Sequence, residues 1–577
     1  MVDEKKDDRR SSTVASKCNA CFHREVVNAF YFSLLVAFTY ICYVYACQVE
    51  SVTTPLNYVD AQPSVGHYDD YDDDVDEESR QTAGIVLLFL FGGLCVGYLA
   101  EKVHLPRPLA MILFGVLLRH IHIGEHGSYK CYFLVRRFAF VLILAKSALS
   151  FDYTALKQKS RKFLLTIKCP SVLEIVVVTF LASFLLDIDF AASAVIATAI
   201  VASCPFLQVK AEKSDKMKQL TNVLLPVELL TSLFLFVTAL AIMYSEDFDF
   251  NLHDVAGLIA MLGQAVYGVL FGGITGILME GCPDGYRPTF FLLAILGGFS
   301  FFDRYRMFLA GVCTVFTTVA VYSNKSRASG KRRPSANTNL HVNVVDNIEF
   351  LQSTQSELQE EVWLDHIWGY LFEPLLYTLL AFQLPLTAVD GHSIYATIVL
   401  VVIIVFARIA VSLLFPWDRE LPSSERITLS LLSLERSSVQ AALALMPIEI
   451  CLARNTGIDG FFAIPSFYSS SKLELSSCFS ITQEISIVLA ASIMIFPLIG
   501  RMALKLQEKF LNRQKNAPGK IEKRESSPAK VFRKSILLGA QSTQNPSPNA
   551  PQPAQSQAPS VPPKPLNSPP VFPKTQP

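Results

Sequence analysis

Ionisable side chains inside apolar stretches are the residues with the clearest capacity for chemistry in this sequence. They are Glu174, Glu228, Arg408 and Arg436. A charge near the centre of a bilayer costs roughly 2.5 to 3.5 kcal/mol on insertion scales, so each of them needs a partner, a water-filled cavity or a function. Acids and bases in equal number could neutralise one another in pairs. A carboxylate kept for function could instead bind a cation and, when partly desolvated, exchange it for a proton.

Glu228 has the sequence context best suited to that second role. It follows Pro226 within the apolar segment 224–230, and a proline loosens the backbone hydrogen bonding of a membrane helix just before the carboxylate. We therefore interpret Glu228 as the ion-binding and proton-carrying residue. The competing interpretation is a structural acid that a nearby arginine neutralises.

Polar clusters interrupt two other apolar windows, 190–208 and 428–451. The polar residues are Ser203, Cys204, Pro205, Arg436, Ser437 and Ser438. Such breaks predict discontinuous helices, whose exposed carbonyls and half-helix ends commonly build a transporter's site near the bilayer midplane. These residues are therefore predicted to line the site of Glu228. A kinked but continuous helix is the alternative for either window taken alone.

The elements that must position these residues are membrane helices. The chain has 577 residues, 51% of them hydrophobic, and its apolar windows predict about fourteen transmembrane helices. The first window, 26–47, is long enough to span a bilayer and lacks a clear small-residue cleavage site, so we interpret it as a retained helix rather than a signal peptide. The predicted fold class is an all-α polytopic membrane protein.

The distribution of charge predicts an orientation in the membrane. Lys plus Arg and Asp plus Glu both number 50, so the net charge is zero, yet the two signs are segregated. Basic connections such as 157–162 and 325–333 alternate with acidic ones such as 69–78, and the positive-inside rule places the basic ones in the cytoplasm. An even number of spans then places both the N-terminus and the C-terminus in the cytoplasm.

These features divide the sequence into segments of different composition. We predict a cytoplasmic N-terminal segment (1–25), a transmembrane helix (26–47), an acidic extracytoplasmic linker (48–83), a transmembrane domain (84–505) and a cytoplasmic Pro/Ser-rich disordered tail (506–577). The composition of the tail cannot bury a core, and its Pro-x-x-Pro groupings could dock an SH3-like partner. A plain disordered tail is the alternative.

The sequence shows none of the residue sets that are typical of enzymes. It contains no recognisable pairing of a nucleophile with a general base, no phosphate-binding loop and no metal-binding motif. We therefore expect no catalytic residue, metal or cofactor, and no nucleic-acid partner. The twelve cysteines are scattered, several of them within apolar windows, so neither a zinc site nor a disulfide framework is expected.

Several stretches in order along residues 84–505 resemble the cation/proton antiporter superfamily. They are Leu105-Pro106-Arg107-Pro108-Leu109, Lys146-Ser147-Ala148-Leu149-Ser150-Phe151-Asp152, Pro170 through Glu174, Phe372-Glu373-Pro374-Leu375-Leu376, Ser438-Val439-Gln440-Ala441-Ala442 and Pro497-Leu498-Ile499-Gly500. Within the superfamily, the chain resembles the NHA-type sodium/hydrogen exchangers related to the bacterial sodium/proton antiporters. Among these it is similar to the animal mitochondrial and plasma-membrane exchangers of the 9B type.

The resemblance implies inverted repeats with crossed discontinuous helices, assembled as a homodimer in membrane lipid. It also assigns Glu228 to the ion-binding carboxylate, Arg436 to a position held by a lysine on the second crossing helix, and Glu174 and Arg408 to a charged pair in the core. The chain departs from the family at Val227, where an aspartate is usual. It departs again at Cys204-Pro205, where the family has Ser-Pro.

The function that the resemblance implies is secondary active transport. A monovalent cation, sodium or else lithium or potassium, would exchange for protons by alternating access and so serve pH homeostasis. The membrane could be the plasma membrane or an endomembrane. Because the ion-binding motif diverges, a non-transporting paralogue with a scaffolding or regulatory role is the alternative.

Overall fold

Helices make up most of the chain that the structure describes. The computed structural model describes residues 33–34, 36–42, 75–121, 129–158, 161–202, 215–244, 252–283, 286–305, 307–328, 359–384, 391–414, 427, 431, 437–455 and 475–516. These residues form helices joined by short connections, with no strand among them. By its internal contacts the chain divides into two units, Met1–Lys509 and Phe510–Pro577.

The described helices are numbered in chain order, and a π-helical turn, Trp368–Phe372, lies directly before α12. Their bounds are α1 Val75–Lys102, α2 Arg107–His120, α3 Tyr129–Ser150, α4 Tyr153–Gln158, α5 Arg161–Leu186, α6 Phe190–Val201, α7 Asp215–Met243, α8 Leu252–Gly281, α9 Arg287–Arg304, α10 Phe308–Ala328, α11 Gln359–Ile367, α12 Glu373–Gln383, α13 Gly391–Leu414, α14 Ser438–Leu443, α15 Met446–Asn455 and α16 Leu475–Asn516.

Length and hydropathy make several of these helices membrane spans. In the described part of the chain, five stretches are long and apolar enough to cross a bilayer: Gly84–Lys102, Thr221–Met243, Ile259–Gly281, Gly391–Ala410 and Cys478–Ala503. Shorter apolar helices cover Ser171–Leu186, Phe190–Val201 and Ser438–Cys451. The prediction of an all-helical, multi-pass membrane protein is confirmed, and the count of about fourteen spans stays a prediction.

The packing gathers the helices into neighbouring groups. Helices α5, α6 and α7 pack side by side, and α13 packs on α5. Helices α8, α9 and α10 form a second group, and α1, α2 and α12 form a third. Helix α3 contacts members of all three groups. It therefore lies at the centre of the bundle, and its middle residues 139–145 are almost fully buried.

Small residues allow α8 and α10 to approach closely. Gly268, Gly272 and Gly276 recur every four residues on α8, and a Cβ added at Gly272 or Gly276 would lie within 2.6 Å of the carbonyl oxygen of Thr314 or Thr318. Only glycine permits this backbone contact, which is typical of packed membrane helices. Apolar side chains on α8, among them Ile259, Val266 and Ile274, are exposed, as expected of a face turned toward lipid.

The cysteines correct one expectation from the sequence. A disulfide joins Cys451 of α15 to Cys478 of α16. Both residues lie at the ends of apolar helices, where a thiol is indistinguishable in sequence from a small hydrophobic side chain. No cluster of three or more metal-ligating side chains occurs among the residues that the structure describes.

Candidate cation site

Three buried charges from three helices meet inside the α5, α7 and α13 group. Arg408 of α13 lies between Glu174 of α5 and Glu228 of α7. Its Nη1 is 2.5 Å from Glu174 Oε2, and its Nη2 is 2.7 Å from Glu228 Oε1. Each of these residues is at most 2% exposed. We call Glu174, Arg408 and Glu228 the buried trio.

Ser171 adds a hydroxyl group to the trio. Its Oγ donates a hydrogen bond to Glu228 Oε1 over 3.0 Å, and the bond is buried. Ser171 and Glu174 are three residues apart on α5, so they share one face of that helix. One face of α5 thus supplies both the hydroxyl group that binds Glu228 and the carboxylate of Glu174 that pairs with Arg408.

The backbone around Glu228 is helical but modified. Pro226 stands inside α7 and cannot donate a backbone hydrogen bond. One turn later, Thr231 and Ser232 donate side-chain hydrogen bonds to the carbonyl oxygens of Val227 and Glu228, over 2.8 and 2.9 Å. The side chain of Val227 is half-buried and packs against the apolar core. Thus Glu228 is the carboxylate of this segment, and its neighbour adds only apolar contact.

The end of α6 and the start of α14 meet inside the protein. Helix α6 ends at Val201, and Ala202 leaves the helical conformation with φ −59° and ψ 110°. Helix α14 begins at Ser438. Gln440, in the first turn of α14, donates hydrogen bonds from Nε2 to the carbonyl oxygens of Ile200 (3.0 Å) and Ala202 (2.7 Å). The end of one interrupted helix is thereby fixed to the start of another.

The residues predicted from the sequence fall into separate groups. The structure brings Glu174, Glu228 and Arg408 together. Ser437 and Ser438 are buried at the start of α14, and Tyr377 of α12 donates a 2.8 Å hydrogen bond to Ser437 Oγ. The other predicted lining residues, Ser203, Cys204, Pro205 and Arg436, lie outside the described residues. The roles given to all of these residues stay predictions.

A second set of buried charges was missed in the sequence. Adjacent arginines of α3 contact acids on two different helices: Arg136 pairs with Glu449 of α15, and Arg137 pairs with Asp303 of α9. We call these the α3 ion pairs. The signal that could have found them is the Arg136-Arg137 dipeptide, which lies within the apolar window 132–149. Closer to the other end of α3, Lys146 pairs with Asp365 of α11.

Comparison with known proteins shows similarity to sodium/proton antiporters, in sequence over one segment and in fold over most of the chain. Residues 348–498 match the family model described as "Sodium/hydrogen exchanger, transmembrane", a segment that contains Arg408 and Gln440. No curated protein matches the chain in sequence. The fold is similar to that of the sodium proton antiporter MjNhaP1 from Methanocaldococcus jannaschii at pH 8, with a TM-score of 0.52 and 14% identity over 74% of this chain and 100% of that chain.

An electron-microscopy map of the same archaeal protein gives a similar result. The TM-score is 0.51 with 14% identity, over 75% of this chain and 98% of that chain. At this level of identity the likeness concerns the fold, and the family match supplies the relationship in sequence. The resemblance to the 9B type stays a prediction. Together, the matched segment and the shared fold show that the chain is similar to sodium/proton antiporters and is an integral membrane protein.

Proposed function

We propose that this protein exchanges a monovalent cation for protons across a membrane by alternating access, with Glu228 as the carrying carboxylate. The observation that supports this most directly is that Arg408 serves two carboxylates at once. When both acids are ionised, the buried trio carries one net negative charge. Arginine keeps its proton in proteins, so within the trio only the two carboxylates can gain a proton or bind a cation.

A proton and a monovalent cation compete for that one charge. Either of them neutralises the trio when it binds, and an ionised buried carboxylate without compensation is costly. The site should therefore hold one or the other, but not both. This mutual exclusion is what distinguishes exchange from cotransport.

Ser171 and Glu228 provide oxygen atoms of the kind that bind such a cation. Ser171 Oγ and the carboxylate of Glu228 lie within 3.0 Å of each other and present hard oxygen atoms, which suit alkali cations. Glu174 gives Arg408 a second partner, so Arg408 can stay neutralised while Glu228 turns to the cation. Sodium is the proposed cation because the matching family is described as a sodium/hydrogen exchanger.

The test is cation-dependent proton flux in reconstituted vesicles. Purified protein is placed in vesicles that hold a pH-sensitive dye and an acid-inside gradient, and sodium, lithium, potassium or choline chloride is added outside. Sodium should collapse the gradient, and choline should not. If no cation moves protons while the protein is shown to be folded and inserted, the chain is a non-transporting paralogue.

Other predictions from the sequence belong to the same proposal. We propose that both termini are cytoplasmic, that residues 69–78 lie on the opposite side, and that the protein forms a homodimer in the lipid. The segment boundaries, the SH3-like partner of the tail and the choice of membrane remain predictions. Protease treatment of sealed right-side-out vesicles tests the orientation, because it should cut near Asp74 and spare the tail.

A further inference from the structure

Only the nitrogen end of the Gln440 side-chain amide has hydrogen-bond partners among the described residues. The residue is fully buried, and its amide nitrogen donates both hydrogens to backbone carbonyls at the end of α6. Among the described residues, none donates a hydrogen bond to Gln440 Oε1. An amide oxygen that is buried without a donor is unfavourable, so an acceptor held in this way calls for a partner.

The hydrogen bonds also determine the direction of that oxygen. Because both N–H groups are directed to Ile200 and Ala202, the planar amide turns Oε1 away from these two carbonyl oxygens. The amide is thus fixed in one orientation by two bonds of 2.7 and 3.0 Å. A ligand atom fixed in this way is pre-organised, which lowers the entropic cost of binding.

Gln440 lies at nearly the same depth as Glu228. Helices α5 and α6 are joined by the short turn 187–189, so distances along both can be measured from that turn. Ser171, which contacts Glu228, is 15 residues before Leu186, or about 22 Å at the helical rise per residue. Ala202, which contacts Gln440, is 12 residues after Phe190, or about 18 Å along α6.

The lateral separation is also small. Helix α6 packs directly against both α5 and α7, the helices that carry Ser171 and Glu228. Neighbouring helix axes are about 8 to 10 Å apart, a span that side chains from both sides can bridge. Helix α6 is therefore the common neighbour of α14, which carries Gln440, and of the helices that carry Ser171 and Glu228, and the depths measured along α5 and α6 differ by about one helical turn.

We infer that Gln440 is a second ligand residue for the transported monovalent cation, with Oε1 as the ligand atom and Nε2 as its anchor on α6. The inference rests on the proposed function. A neutral oxygen adds coordination without changing the charge of the trio, so one cation still replaces one proton. Carbonyl oxygens have this role in other cation pathways, where they replace part of the hydration shell.

Two substitutions separate a ligand role from a purely structural one. Gln440→Met keeps the length of the side chain but removes the amide, whereas Gln440→Glu keeps an oxygen ligand, lacks the donor and adds a negative charge that also attracts a cation. Sodium should raise the melting temperature of the native protein relative to choline, and it should support flux. We expect Gln440→Met to raise the apparent KM for sodium at least tenfold, and Gln440→Glu to regain most of that loss.

The matched control is Ser486→Ala. Ser486 of α16 donates a 2.7 Å hydrogen bond to the carbonyl oxygen of Ala444, at the other end of α14. Its loss should lower the melting temperature but leave the apparent KM for sodium unchanged. If Gln440→Glu is as poor as Gln440→Met, or if neither folds while Ser486→Ala does, Gln440 is only an anchor and the inference is wrong.

Failure of the proposed function gives a different pattern. A native protein with neither sodium-dependent flux nor sodium-dependent stabilisation overturns both the proposed exchange and the ligand role of Gln440. A native protein that shows both responses, alongside Gln440 variants that keep the native KM and the native sodium-dependent shift, overturns only the role of Gln440.

Discussion

The buried trio and the α3 ion pairs both lie in the interior of the helical bundle, and they differ in charge balance. In the α3 ion pairs, Arg136 pairs with Glu449 and Arg137 pairs with Asp303, so two positive charges meet two negative ones. In the trio, one arginine meets two carboxylates. Burial alone therefore does not mark a transport site. The difference lies in the count of charges, because only an unbalanced set can take up a cation.

The largest expected effect comes from removing the charge that makes the trio unbalanced. We predict that Glu228→Gln abolishes cation-dependent proton flux, because the amide cannot bind and release a proton. The remaining pair of Glu174 and Arg408 is balanced, so the melting temperature should be equal to or above that of the native protein.

The matched control is Asp303→Asn, which makes the same carboxylate-to-amide change within the α3 ion pairs. It should lower the melting temperature and retain flux per folded molecule. Normal flux in Glu228→Gln at equal protein levels would remove Glu228 from the mechanism. Equal loss of flux in both variants would show that the two sets of charges do not differ in function.

The next largest effect concerns stability. Replacing Arg136 or Glu449 alone with a neutral residue should destabilise the protein by about 3 kcal/mol, because the other charge stays buried in a low-dielectric interior. Replacing both should cost less than the sum of the single losses. A thermal-shift double-mutant cycle on Arg136→Gln and Glu449→Gln measures this coupling. Strictly additive losses would mean that the two residues do not interact.

These two sets also show how much of the site the sequence could reveal. Glu174, Glu228 and Arg408 stand well inside apolar windows, where the cost of a charge makes each of them conspicuous. The sequence could not show that one arginine serves both acids, because the partners lie 234 and 180 residues apart and meet only through helix packing. The charge balance of the trio is therefore a property of the fold.

The residues that were missed have physical reasons for being missed. Arg136 lies a few residues inside the start of its apolar window, and Glu449 lies close to the end of its own. Charges near window ends are expected at the membrane interface, so the Arg136-Arg137 dipeptide alone does not distinguish a buried pair from an interfacial one. Gln440 is neutral, and a single amide inside a helix is unremarkable until the structure shows which carbonyls it contacts.

A smaller effect should follow when the charge of the trio is balanced by neutralising Glu174 instead of Glu228. Glu174→Gln leaves Glu228 intact and makes it the one carboxylate of the trio that pairs with Arg408. A cation must then compete with Arg408 for Glu228. We expect the apparent KM for sodium to rise about tenfold, which corresponds to about 1.4 kcal/mol, while the maximal rate falls less.

Arg408→Gln provides the opposite control for this prediction. It leaves two carboxylates without their arginine, so it should lower the melting temperature much more than Glu174→Gln does. Glu174→Gln with a native apparent KM would contradict the role of charge balance in the trio.

The smallest expected effect is that of membrane voltage, and it should be absent. With the charge of the trio at minus one, a single cation replaces a single proton, and the cycle moves no net charge. A charge-moving cycle would instead respond strongly, since each uncompensated elementary charge contributes roughly 2.3 kcal/mol per 100 mV.

Val227→Asp provides the contrast, because it places a second acid beside Glu228 and brings the net charge of the trio and this acid to minus two. Proton flux is measured in vesicles at two imposed potassium-diffusion potentials. The native equilibrium should be the same at both potentials, whereas that of Val227→Asp should shift. A voltage-dependent equilibrium in the native protein would show that a further charge moves with the cation, and that the trio does not account for the whole cycle.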